Sequence, residues 1–256
     1  MIREFKEGHV SVERHNGVTT IAFSHPQSNS LPRALLEELT WQIHAAGDDD
    51  ETRVIILRSG GDRAFCAGAS FDELLAVKNE EQGFQFFSGF ANLINAMRKC
   101  PQFIIARIQG KCVGGGVGLA AAADYAIAME GAEIKLSELA VGIGPFVVGP
   151  AVERKMGLAA FSHLSIDASM FRSADWARRH GLYAELYADV ATMDESIRRL
   201  ADNLAHANPE AMARMKEMYW KGTEHWDRLL SERAHISGKL VLSEFSRNAI
   251  QKFKKK

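Results

Sequence analysis

The stretch FIIARIQGKCVGGGVGLAAAADYAIA, residues 103–128, decides the architecture of this chain. It opens on a short, mostly apolar run, FIIARI, the pattern of a strand covered on both faces. Gly114, Gly115 and Gly116 follow, then a helix of small residues in GLAAAAD, then a second strand-like run in DYAIAM. A strand, a crossover helix and a further strand imply parallel pairing. Upstream, VIILRS (54–59) repeats the first step and leads into another glycine-containing segment, GGDRAFCAGAS (60–70), while IKLSE (134–138) supplies one more short run downstream. The class expected is α/β.

The flanks read more simply. In HVSVERHNGVTTIAFS, Val10 and Val12 alternate with polar neighbours, and Asn16-Gly17 supplies the two residues that tolerate a type I′ turn, so a hairpin is predicted. Pro32 then suits a helix start, with Leu35, Leu36, Leu39 and Ile43 on one face. Phe87, Phe90, Ile94 and Met97 recur at helical spacing and read as a core-facing stripe, a face that also suits an apolar pocket. From about residue 158 the pattern turns helical, punctuated at Gly181, Asn208-Pro209 and Gly222, with Ile197, Leu200 and Leu204 marking one helix within 193–206.

Composition narrows the partners. The 256 residues carry 31 Lys plus Arg against 32 Asp plus Glu, a net charge of −1, so neither nucleic acid nor an anionic membrane is an expected partner. The start MIREFKEGHV lacks an apolar h-region, and no apolar run reaches the roughly 18 residues of a membrane span. Three cysteines, Cys66, Cys100 and Cys112, form no CxxC pair, which fits a reduced cytoplasmic setting and argues against zinc. The nine histidines show no paired metal spacing, so no metal is expected.

Chemistry is expected where the two glycine-containing loops meet. AFCAGAS (64–70) and KCVGGGVG (111–118) each follow a buried strand, so parallel pairing brings them to one sheet edge. Glycine lets backbone N–H groups approach a ligand closely, and two aimed at one point form an oxyanion hole suited to an acyl group. Neither a dinucleotide fingerprint in register nor GxxxxGK[ST] is present. Ser70 and Ser137 lie nearby without GxSxG or an evident His partner, which leaves a nucleophilic hydrolase as a minor alternative.

AFCAGASFDEL, IQGKCVGGGVGLAAAADYAIA and IKLSELAVGIGP, in this order and at these separations, resemble the crotonase (enoyl-CoA hydratase/isomerase) family. IAFSHPQSNSL and NPEAMARMK extend the likeness over nearly the whole chain. The resemblance implies a crotonase-like spiral of ββα units over 1–190 and a C-terminal helical subdomain over 191–256 that serves oligomerisation, as a homotrimer or homohexamer. It also implies a coenzyme A thioester substrate and no separate cofactor. By position, Ala69 and Gly115 would donate the oxyanion-hole N–H groups and Glu138 would be the catalytic acid–base. Ala67, Gly68, Ser70, Gly114, Gly118, Pro145 and Phe146 would contact substrate, and Val147 and Val148 would help wall the acyl pocket.

Departures from the pattern carry weight. The hydratases of the family place one glutamate two residues after GGG, and here that place is Gly118, so a single carboxylate remains. The chain resembles a branch that has lost that glutamate and includes methylglutaconyl-CoA hydratase-like and polyketide-associated dehydratase-like members. Hydration or dehydration of a short or branched enoyl-CoA is therefore placed ahead of 3-enoyl to 2-enoyl isomerisation, and a non-catalytic acyl-CoA binding protein is the alternative from another class. The family's lysine after AGAD is missing too, Ser70 and Asp72 standing in that loop. The tail lysines Lys252, Lys254, Lys255 and Lys256 are read as solvated, with coenzyme contact as the alternative.

Overall fold

Asn16 and Gly17 adopt φ of 48° and 80°, the two left-handed conformations that a tight hairpin turn demands. In the computed structural model, which describes residues 2–5 and 7–254, that turn joins β2 (Gly8–His15) to β3 (Val18–Ser24), with β1 (Ile2–Phe5) antiparallel on the far side of β2. Lys255 and Lys256 of the basic tail lie outside the described residues. Val10, Val12, Ile21 and Phe23 are buried, as the alternation predicts.

Helix α1 (Arg33–Gly47) buries its leucine face, and β4 (Val54–Ser59) then pairs parallel to β3. From here the chain winds through a repeated unit. β5 (Ala64–Cys66), α2 (Phe71–Ala76), α3 (Glu80–Lys99), β6 (Phe103–Ile108), β7 (Lys111–Val113), α4 (Gly115–Ala122), β8 (Tyr125–Met129) and β9 (Ile134–Lys135) follow in order. The long strands continue one sheet and the short ones build another. After a single 3₁₀ turn (Leu139–Val141) come α5 (Gly149–Ile166), α6 (Ala174–Arg179), β10 (Glu185–Tyr187), α7 (Val190–Ala205), α8 (Pro209–Tyr219), α9 (Trp226–Leu240) and α10 (Glu244–Lys254). Among the described residues the large sheet has the order β1-β2-β3-β4-β6-β8-β10 and the small one β5-β7-β9. Each turn of the spiral sends one long strand to the first sheet and one short strand to the second.

Sequence patterning runs the glycine-rich segments directly out of the long strands, whereas the structure inserts β5 and β7 between them. Strands of three residues carry no readable alternation, and glycines or small residues flank both. The spiral repeat is likewise geometric, without repetition in sequence.

The apolar runs in β4, β6 and β8 are explained by cover on both faces. Ile55, Leu57, Ile104 and Ala106 point into the main core, while Val54, Ile56, Ile105 and Ile127 meet Met193, Ile197 and Ala201 of α7 on the opposite face. Arg107, the one charge within FIIARI, pairs with Asp194 of α7 through Nε at 2.6 Å and Nη2 at 3.1 Å. That pair anchors the helix. No helix among the described residues is long and apolar enough to cross a membrane.

The aromatic helix α3 is covered by α9. A Cβ placed on Gly83 would lie 2.5 Å from the carbonyl oxygen of Gly238, and one on Gly238 would lie 2.5 Å from the backbone nitrogen of Phe84. Backbone meets backbone here, so neither position can relax around a methyl group. Gly238→Ala is expected to lower stability by about 1–3 kcal/mol through overpacking, seen as a reduced midpoint in thermal or urea unfolding.

Candidate active site

Two loops supply backbone to the site, one at 67–69 after β5 and one at 113–115 after β7. Parallel pairing of those strands, with Cys66 opposite Cys112, sets the loops side by side. Gly68 has a φ of 87°, and a Cβ there would lie 2.8 Å from the Val113 carbonyl oxygen and 3.3 Å from the Gly115 nitrogen. Glycine meets both demands, the left-handed backbone and the close approach.

Hydrogen bonds from other segments hold each loop. Ala67 N–H donates to the Ser28 carbonyl at 3.1 Å, and Leu31 N–H donates to the Gly68 carbonyl at 2.8 Å. Asn29 braces the base of the same loop, its amide donating to the carbonyls of Gly60 at 2.7 Å and Ala64 at 2.8 Å. Gly114 N–H donates to the Lys135 carbonyl at 2.8 Å, which ties the second loop to the end of β9. With these bonds made, the N–H groups of Ala69 and Gly115 donate to no protein acceptor among the described residues. Gly115 also opens α4, so its N–H sits at the positive end of a helix.

Glu138 follows β9 by three residues and starts the 3₁₀ turn. Its carbonyl accepts from Val141 at 3.2 Å and Ile143 at 3.0 Å, which fixes the bend. Its carboxylate faces the second glycine loop, Oε1 lying 3.0 Å from where a Cβ on Gly114 would stand. Oε2 is buried without a hydrogen-bond partner. Burial pushes this carboxyl up from its ordinary 4.5 to about 7, against a smaller opposing contribution from its own backbone N–H. A group so poised can both take and give a proton near neutral pH.

These elements border one small cavity of about 50 Å³. Ala67, Gly68 and Ala69 line it from one loop, and Gly114 and Gly115 from the other. Glu138 and the run Pro145, Phe146, Val147 and Val148 complete the predicted residues that meet there. The stripe on α3 serves both of its expected roles, since Phe87 and Phe90 are buried in the core and also face the cavity.

Two residues expected at the substrate stand elsewhere. Ser70 caps α2, its hydroxyl accepting from Glu73 N–H at 3.4 Å. Gly118 is roofed by Val148, whose Cγ1 lies 2.5 Å from where a Cβ on Gly118 would be. The space a second acid would need is occupied by an isopropyl group. Asp72 of the altered loop accepts a hydrogen bond from the Gln27 amide at 2.8 Å.

Sequence patterning missed Val141 and Ile143, which follow Glu138, and Ser237, which reaches the cavity from α9. It also missed Phe71 and Leu74 of α2, although their spacing just after AGAS is a helical face turned toward the loop. Nothing local to Ser237 marks it, because only the crossing of α9 over α3 brings it in.

A model of the enoyl-CoA hydratase/isomerase family matches residues 13–256. This chain belongs to that family. It is an enzyme of the crotonase fold, and an acyl-CoA substrate is consistent with its membership. A probable enoyl-CoA hydratase of Bacillus subtilis (strain 168) is 30% identical over 241 residues, 93% of each chain. A carnitinyl-CoA dehydratase of Citrobacter koseri is 30% identical over 207 residues, 80% of this chain and 78% of that one. Among solved structures, an enoyl-CoA hydratase from Bacillus halodurans superposes with a TM-score of 0.87 at 20% identity, covering 95% of this chain and 99% of the other, a likeness of fold.

The raised carboxyl in this crotonase has a consequence for stability. Between pH 4.5 and about 7 the folded state binds a proton at Glu138 that the unfolded state has already lost, so this group's contribution to stability falls as pH rises through that window. Glu138→Gln is expected to be more stable than the parent at pH 8, by up to about 3 kcal/mol, and to match it below pH 4.5. Thermal unfolding of both proteins across that range checks the prediction.

Proposed function

We propose that this chain is an enoyl-CoA hydratase or dehydratase acting on a short, neutral acyl group. The observation that carries the reading is the Glu138 carboxylate against the Gly114 turn, its Oε2 buried without a partner, together with two uncommitted N–H groups on the adjoining loops. Ala69 and Gly115 N–H take the thioester oxygen. Negative charge grows on that oxygen as an enolate forms, and each preorganised donor is worth on the order of 3 kcal/mol to the transition state.

Glu138 carries out both proton transfers. As its carboxylate removes a proton from water, the water oxygen bonds to C3 and the double-bond electrons move toward the thioester carbonyl. The same carboxyl then delivers the proton to C2 as the enolate collapses. Dehydration runs these steps backward, with the carboxylate again as the starting form. One acid is enough because water and C2 proton arrive on the same face.

The walls support the choice of acyl group. Glu138 is the only ionisable side chain among the described residues lining the cavity. A charged acyl substituent would therefore lose water without gaining a partner. This disfavours a carboxylated acyl group of the methylglutaconyl kind and equally a quaternary ammonium. The small volume and the bulk of Phe146, Val147 and Val148 favour few carbons. The names of the relatives above, hydratase and dehydratase, favour water addition or removal over isomerisation.

Incubation with crotonyl-CoA and with a 3-enoyl-CoA in deuterated water tests the assignment. Formation of the 3-hydroxyacyl thioester is expected; double-bond migration without hydration, or tight binding with no exchange, would sink it. Glu138→Gln should reduce turnover at least about a hundredfold while leaving binding in place. For the parent enzyme kcat/KM should climb with pH through about 7, as the carboxyl ionises.

A further inference from the structure

With the amides and Glu138 assigned, two polar side chains of the cavity, Ser137 and Ser237, have no role. Ser237 lies on α9 and is 1% exposed, yet it borders the cavity that Glu138 borders. Its hydroxyl makes no hydrogen bond to protein among the described residues. The contrast with Ser165 is instructive, since that hydroxyl turns back to the Phe161 carbonyl one helical turn earlier at 2.8 Å, the usual refuge of a serine within a helix. The residue is buried and its hydroxyl has no protein partner, so the cavity it lines is where it can find one.

The reaction proposed above has an oxygen in want of such a contact. Water adding to C3 must be held as well as deprotonated, and the place where a second acid would help is closed by Val148 over Gly118. Ser137 and Ser237 are the other polar side chains on the lining. Ser137 adjoins Glu138 on the same loop and is only half-buried. Ser237 comes from a separate helix, locked in place by the backbone contact between Gly83 and Gly238.

We propose that the Ser237 hydroxyl binds the oxygen that is added to or lost from C3, so that the reacting water is held between Ser237 and Glu138. This rests on the hydratase reading. The serine keeps its own proton throughout; the transferred proton passes from water to Glu138 to C2, and the new C–O bond forms at C3. Ser237 thereby serves the water step, while removal of a C2 proton from a saturated acyl thioester requires Glu138 and the two amides alone.

The test compares two rates in the parent and in Ser237→Ala: hydration of crotonyl-CoA, and deuterium exchange at C2 of butyryl-CoA. The ratio of hydration to exchange should fall about 10–100-fold in the variant, the size expected for one lost hydrogen bond to a reacting group. Alanine is smaller than serine and a better helix former, so the helix crossing accepts it. An unchanged ratio, whether both rates hold or both drop together, overturns the assignment and leaves the hydratase reading standing. A parent enzyme that exchanges the C2 proton and never hydrates overturns both.

Discussion

The contact between the Gly68 turn and the Val113–Gly115 backbone is what the rest of the site depends on. Two peptide segments can approach this closely only when no side chain intervenes, and when each has its other hydrogen bonds satisfied elsewhere. The pairing of β5 with β7 sets the distance, the 28–31 segment holds one loop, and the end of β9 holds the other. Two N–H groups are thereby left without a protein acceptor, on residues that line the cavity.

Electrostatics follow from the same packing. The cavity is apolar and small, with one ionisable side chain among the described residues that line it, so the Glu138 carboxyl lacks the solvation that ordinarily favours its ionised form. The chain tolerates this at some cost in stability above neutral pH, and gains a group near the midpoint of its titration where proton transfer in either direction is feasible. A disfavoured ionised form and a titration near neutrality have a single origin here.

Much of this was legible in the amino-acid order, for identifiable reasons. Asn16-Gly17 announced the hairpin because few other pairs accept two left-handed residues, and the apolar run in 54–59 announced a doubly covered strand because α7 lies on its second face. The family pattern placed Glu138, Ala69 and Gly115 at the cavity that they do border. What stayed hidden depended on distant packing. β5 and β7 are too short for any periodicity to show. Gly118 looked like a ligand position, but Val148, thirty places later, covers it. Ser237 enters through a helix crossing, and the glycines that permit it, Gly83 and Gly238, are far apart in the chain.

The placement of α9 over α3 also bears on how the enzyme is made. The aromatic stripe of α3 leaves the ribosome early, whereas its cover arrives only after most of the chain has been synthesised. Until then Phe84, which stacks on His235 of α9, lacks its cover, and a nascent chain stalled short of Trp226 would present that face of α3 as a sticky surface for chaperones or for another copy. The pocket is thus completed late in biogenesis, by the same helix that seals the core.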